Sequence, residues 1–302
     1  MLGRAATLSD AARAFMDAAE SAPQRPDDLP IEELRRLTRE GYAKAARDAV
    51  IEHKVALREI EIANVPCLQI IPPNVKSGRV MIYIFGGGFM VGSPFEDLPI
   101  SAFLATRLGC TIICPNYRLA PEHQFPAALN DVEAVAVEVL QNNDDVLLAG
   151  ESAGGNLTLA LYQRLRAKNL PMPKAMAALS PAVDQSDIGD SGRADRDPLL
   201  AAKYVVDVVT AYAPGYDLTH PELSPIYGEY GPETPPTIIT TGSRDLFLSS
   251  CIRQERVMRS ANAQVTLRVW EGMGHVFEFY PDIPEARASL SEIADFLESH
   301  LS

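Results

Sequence analysis

The chain has 302 residues, enough to bury one substantial core with or without a smaller appended lid. Its composition, 47% hydrophobic and 22% charged, is that of an ordinary soluble globular protein, and no run reaches the ~18 apolar residues that span a bilayer. A formal charge of −13 repels phosphate backbones and anionic membranes, so a nucleic-acid or membrane partner is not expected.

Met1-Leu2-Gly3-Arg4, followed by Ser9, Asp10, Arg13 and Asp17, lacks the apolar core of a secretory signal, and the expected location is cytoplasmic. Leu8, Ala12, Phe15 and Met16, then Ile31, Leu34 and Leu37, mark two amphipathic helices within residues 1–50. Pro23, Pro26 and Pro30 form a joint between them. Spacing alone leaves open whether these helices cover a site or pad the core.

From residue 51 onward short apolar runs alternate with helical stretches. The runs are Arg79 to Phe85, Thr111 to Cys114, Asp145 to Ala149, Ala175 to Leu179, Thr237 to Thr240 and Val265 to Trp270. They are rich in β-branched residues and nearly all apolar, as strands buried on both faces are. Leu157, Leu161 and Leu165 mark one intervening helix; Ala286, Leu290, Ile293 and Leu297 mark the last, begun by Asp282 and Pro284. The alternation predicts an α/β fold with a mostly parallel sheet. Residues 184–222 interrupt it, polar at first and helical from Leu199 through Val209.

The cysteines (Cys67, Cys110, Cys114 and Cys251) are too few and scattered for a disulfide framework. Cys110 and Cys114 sit at the ends of a strand about 13 Å long, too far apart for one bridge or one metal. They read as core thiols.

Gly150-Glu151-Ser152-Ala153-Gly154 lies between a strand and a helix. A serine on such a turn is held with its Oγ exposed, and the helix N-terminus brings positive dipole to any charge developing there. Serine needs a base. Of the five histidines, His300 is near the C-terminus, His53 and His220 look like surface positions, and His123 follows Pro121-Glu122 in a loop. His275 stands in a loop between the last strand and the last helix, where a base is delivered to a serine on this turn. Asp245 follows the strand Thr237 to Thr240 and is the expected partner of His275. Asp197 is a rival, but it follows no strand. The order Ser152, Asp245, His275 is that of α/β-hydrolases. Gly86-Gly87-Gly88, directly after Phe85, gives a loop whose amides can turn toward Ser152 and, with the N–H of Ala153, supply oxyanion donors. A phosphate-cradling loop is disfavoured, since neither a following Lys-Ser/Thr nor a G-x-G-x-x-G spacing is present.

From about residue 65 to the C-terminus these motifs resemble the hormone-sensitive-lipase-like esterases, bacterial family IV. The likeness rests on Gly86-Gly87-Gly88-Phe89, Asn116 to Glu122 with Phe125-Pro126-Ala127-Ala128, the elbow Gly150 to Gly155, Arg244-Asp245-Leu246 and His275-Val276-Phe277. The resemblance implies an α/β-hydrolase fold with an eight-stranded, mostly parallel sheet and helices on both faces. It implies N-terminal cap helices at 1–50, a catalytic domain over 51–302 and a second cap segment at about 184–222. Gly87, Gly88 and Ala153 become the oxyanion donors, and Arg118 and Glu122 anchor their loop. The family's His before the glycines is Phe85 here, which would have to organise the loop by packing.

The expectation is therefore a serine carboxylesterase cleaving small to medium acyl esters through an acyl-enzyme on Ser152. No metal or organic cofactor is expected, and activity should fall below about pH 6 as the base protonates. A lactone or amide hydrolase with the same residues is the alternative. A ligand-binding protein on a retired hydrolase scaffold is disfavoured, because such a binder has no use for the base. The resemblance also leaves open a homodimer through the last strand and helix.

Overall fold

The computed structural model describes residues 7–22, 29–194 and 196–301. Met1 to Arg4, Pro23 and Pro26 lie outside the described residues.

In chain order the elements are α1 (Asp10–Ser21), α2 (Ile31–His53), β1 (Ala56–Ile62), β2 (Val65–Ile71), β3 (Arg79–Ile84), α3 (Leu98–Leu108), β4 (Thr111–Pro115) and α4 (Ala127–Asn142). They continue with β5 (Asp145–Glu151), α5 (Ser152–Ala167), β6 (Ala175–Leu179), α6 (Gly189–Ala194), α7 (Ala202–Tyr212), β7 (Thr237–Gly242), α8 (Leu248–Ser260), β8 (Val265–Trp270) and α9 (Pro284–Glu298).

The eight strands form one sheet in the order β1-β2-β4-β3-β5-β6-β7-β8. From β4 through β8 every pairing is parallel; β1 and β2 add an antiparallel edge. The central strands β3, β5 and β6 carry side chains buried on both faces, which is why they read as unbroken apolar runs. β1 and β2 were not legible as strands. Ala63 and Asn64 both take positive φ between them, the geometry of a tight hairpin turn, without the Asn-Gly pair that usually announces one.

All four cysteines are buried free thiols. The last helix buries Ala286, Leu290, Ile293 and Leu297, the face its periodicity predicts. Ser9 caps α1 by accepting from the Ala12 amide at 3.1 Å, and its own amide and hydroxyl donate to Glu285 on α9. Leu8, Ala12 and Met16 thereby pack with Met273, Phe277 and Ile283, so α1 supports the loop after β8. α2 packs along α3. Among the described residues no helix is long and apolar enough to cross a membrane.

Candidate active site

Gly86 to Gly88, Ser152, Asp245 and His275 follow the C-terminal ends of the parallel strands β3, β5, β7 and β8, where the crevice of an open α/β sheet forms. β5 passes directly into α5, and Ser152 is the hinge, with φ +52°. That left-handed conformation is unfavourable for a side-chain-bearing residue and persists only where the surroundings impose it. They do so through Gly154. A Cβ there would lie 2.0 Å from the Ile84 carbonyl, so only glycine lets α5 begin so close to β3.

The loop after β7 carries Asp245 and the loop after β8 carries His275. His275 Nε2 is 2.9 Å from Ser152 Oγ, and His275 Nδ1 is 3.1 Å from Asp245 Oδ1. Asp245 also accepts from the Phe247 amide at 2.9 Å and from the Thr241 hydroxyl at 2.8 Å, which fixes its carboxylate. Burial works to raise the Asp245 pKa, but the His275 charge and hydrogen bonds from His275, Ser180 and the Phe247 amide outweigh it and hold the carboxyl below its ordinary value. Burial likewise works to lower the His275 pKa. The Asp245 charge and hydrogen bond, then Asp197 and Glu278, outweigh it and the pKa rises. A raised His275 pKa moves the acid limit of any reaction that uses it as a base upward. Of the other histidines, His53 packs on Phe103, His220 on Phe125 and His300 on Phe296.

Beside β5, the chain leaves β3 through Phe85 into the three glycines. Gly87 has φ +96°, and a Cβ on it would fall 2.2 Å from the Val91 carbonyl. This closes a tight turn in which the Met90 and Val91 amides donate to the Gly87 carbonyl. Phe85 is buried and stacks on Tyr117 at 4.2 Å, and the Tyr117 hydroxyl donates to the Phe85 carbonyl at 2.9 Å. The loop is thus held by ring packing and by Tyr117, not by a histidine. Ala153 is buried in the first turn of α5, three residues beyond Gly150, which pairs with Ile84 of β3. Arg118 pairs with Asp131 and Glu122 with Arg35.

Two acids take up contacts that the sequence does not assign to them. Glu151 is buried beneath the glycine loop, and a Cβ at Gly86 would lie 2.0 Å from its carboxylate. Burial, then the charge of Asp97, pushes its pKa well up. Asp197, set aside for following no strand, lies with Asp245 and His275 so that ligand-type atoms of all three fall within 4.8 Å. Those atoms could face a cation. Both His275 nitrogens and both Asp197 oxygens are already committed to hydrogen bonds, however, which suits proton transfer better than metal ligation.

α7 closes over the glycine loop. A Cβ at Gly88 would meet Val208 at 2.9 Å and the Tyr204 hydroxyl at 3.3 Å, and Phe89 stacks on Tyr212 at 3.8 Å.

A serine on a strand–helix turn, facing a histidine and a carboxylate at the mouth of a parallel sheet, defines a class of proteins. Residues 81–279 match the family model for the alpha/beta hydrolase fold. The chain is 32% identical over 233 residues to an acetyl-hydrolase of Streptomyces hygroscopicus, covering 75% of this chain and 78% of that protein. A solved esterase from the bacterial hormone-sensitive lipase family superposes with TM-score 0.88 at 26% identity, covering 97% of this chain and 99% of that one. EstE5, solved after soaking with p-nitrophenyl butyrate, superposes with TM-score 0.89 at 25% identity, with the same coverage. The chain belongs to the alpha/beta hydrolase fold family, among the esterases of the hormone-sensitive lipase type.

Proposed function

We propose that the protein is a carboxylic-ester hydrolase that cleaves small to medium acyl esters through an acyl-enzyme on Ser152. The observation that carries this reading is the continuous relay from Ser152 Oγ through His275 to Asp245, at 2.9 and 3.1 Å. Neutral His275 takes the Ser152 proton as Oγ attacks the acyl carbon, and Asp245 stabilises the imidazolium that forms. The amides of Gly87, Gly88 and Ala153 receive the oxyanion; one such donor is worth about 3 kcal/mol of barrier. Imidazolium then protonates the departing alcohol. In the second half His275 activates water, and the tetrahedral intermediate collapses to release the acid and restore Ser152. The steps use no metal or organic cofactor.

In this reading the described parts of residues 1–50 and 184–222, with α1, α2, α6 and α7, form the cap. Val208 and Tyr204, standing over Gly88, restrict room beside the oxyanion site and favour short acyl groups. The acetyl-hydrolase among the relatives fits that preference.

The test is hydrolysis of p-nitrophenyl acetate, butyrate and octanoate by the wild type and by Ser152→Ala. Turnover should favour the short esters and drop at least about a thousand-fold in the variant. Undiminished turnover in Ser152→Ala would remove the acyl-enzyme reading. A folded wild type inert to all three esters would redirect the search to lactones and amides.

A further inference from the structure

Asp197 enters the site from outside the sheet. It follows α6 and precedes Pro198, which biases its backbone to an extended form and turns the chain back toward α7. Its Oδ1 accepts from the Leu199 amide at 2.9 Å. Its Oδ2 is forked: the amide of Leu246, next to Asp245, donates at 3.1 Å, and the amide of His275 itself donates at 3.0 Å. One carboxylate oxygen therefore fastens the acid-bearing loop and the base-bearing loop to each other. The fit is close, for a Cβ at Gly274 would lie 2.6 Å from Asp197 Oδ1. Asp197 is 8% exposed, so nearby solvent does little to replace these bonds.

We infer that Asp197 is a positioning residue of the relay, which keeps the Asp245 and His275 loops in register and adds a second negative charge beside the imidazolium. This rests on the reading of Ser152, His275 and Asp245 as the reacting relay. It makes the 184–222 segment a working part of the machinery as well as a cover, because unseating that segment withdraws the carboxylate from both loops.

The charged groups facing the pair are few. Asp245, Asp197 and Glu278 act on His275, while Asp245 and His275 act on Asp197. The nearby Arg244 guanidinium is turned to the Arg196 carbonyl and to Glu20. Burial, then the Asp245 charge, lifts the Asp197 pKa to about 6, so at neutral pH it is predominantly ionised. An anion there favours protonated His275, and removing it must lower the pH at which the base is released.

Asp197→Asn removes the charge and keeps the loop tether, since its amide oxygen still accepts from the two loop amides; it gives up only the bond from the Leu199 amide, which its NH2 group cannot accept. Asp197→Ala removes both. With p-nitrophenyl butyrate, the acid limb of kcat/KM in Asp197→Asn should move down by about half a pH unit or more. Asp197→Ala should show the same shift and a fall in kcat of about ten-fold or more, with KM within about two-fold. A residue that only holds the fold together would lower the melting temperature and leave the limb where it was. Should Asp197→Ala fail to fold, Asp197→Asn decides alone. A wild-type limb and kcat in Asp197→Asn, alongside an inactive Ser152→Ala, would overturn this inference and leave the esterase reading standing. An active Ser152→Ala would take both down.

Discussion

The guanidinium of Arg35, in the second turn of α2, grips both carboxylate oxygens of Glu122 at 2.7 Å while donating to the carbonyls of Met90 and Ala120 at 2.9 Å. An N-terminal helix thus reaches across to the glycine-loop turn and to the loop that follows β4. The Ala120 amide donates in turn to the Phe89 carbonyl, so a single arginine ties three segments together.

The two halves of that contact should differ in weight. Glu122 is largely exposed, and an exposed ion pair contributes roughly 0–1 kcal/mol. The two carbonyls are more sheltered, and an acceptor left unpaired costs about 1–3 kcal/mol. Arg35→Ala should therefore lower the melting temperature by several degrees and reduce kcat, whereas Glu122→Gln should change either only slightly. Equal effects would mean that the ion pair, not the carbonyl anchoring, dominates.

In the proposed mechanism the relay sets the pH response. A base must be neutral, and His275 is held above the ordinary imidazole value by Asp245, Asp197 and Glu278 against the effect of burial. The acid limb of kcat/KM should lie above about pH 6.5. Asp245→Asn removes the largest stabilising contribution, and kcat should fall by about ten thousand-fold at neutral pH. A pH–rate profile of the wild type and single-turnover rates of the variant check both.

Much of this site was legible because each of Ser152, Asp245 and His275 stands just after a strand, within a short pattern of glycines and turn residues that local chemistry explains. The glycine loop was legible for the same reason. Asp197 was not, because its partners, Leu246 and His275, lie 49 and 78 residues further along the chain and no local pattern announces them. Phe85 could be flagged as a departure, but its stacking on Tyr117 depends on β3 and β4 becoming neighbours. The β1–β2 hairpin escaped because the half-exposed β1 lacks an apolar run.

Chain-length selection should reside in α7. A Cβ at Gly88 would lie 2.9 Å from Val208, and in the proposed function shortening Val208 opens space beside the oxyanion site. Val208→Ala should raise kcat/KM for p-nitrophenyl octanoate relative to acetate by roughly 10-fold, the scale of one or two methylenes in an apolar pocket. An unchanged ratio would place the acyl chain on another wall.

A separate effect concerns stability. Asp97, buried at the start of α3, has its pKa lifted by burial to about 7. A carboxyl whose folded pKa exceeds its unfolded one binds a proton more tightly when folded, so its contribution holds at low pH and is lost as pH rises through about 7. Asp97→Asn mimics the neutral form at every pH. Urea unfolding at pH 6 and at pH 8.5 should show the variant gaining on the wild type at the higher pH; a gap that does not widen would show Asp97 to be ionised throughout.

The four cysteines have a practical consequence. Because every thiol lies in the interior, maleimide dyes and spin labels should find nothing to attack on the native protein. The surface is a blank background for spectroscopy. A lone cysteine introduced at Val206, an exposed position on α7, would carry the only reporter in the molecule and could record whether this helix shifts when a phosphonate captures Ser152.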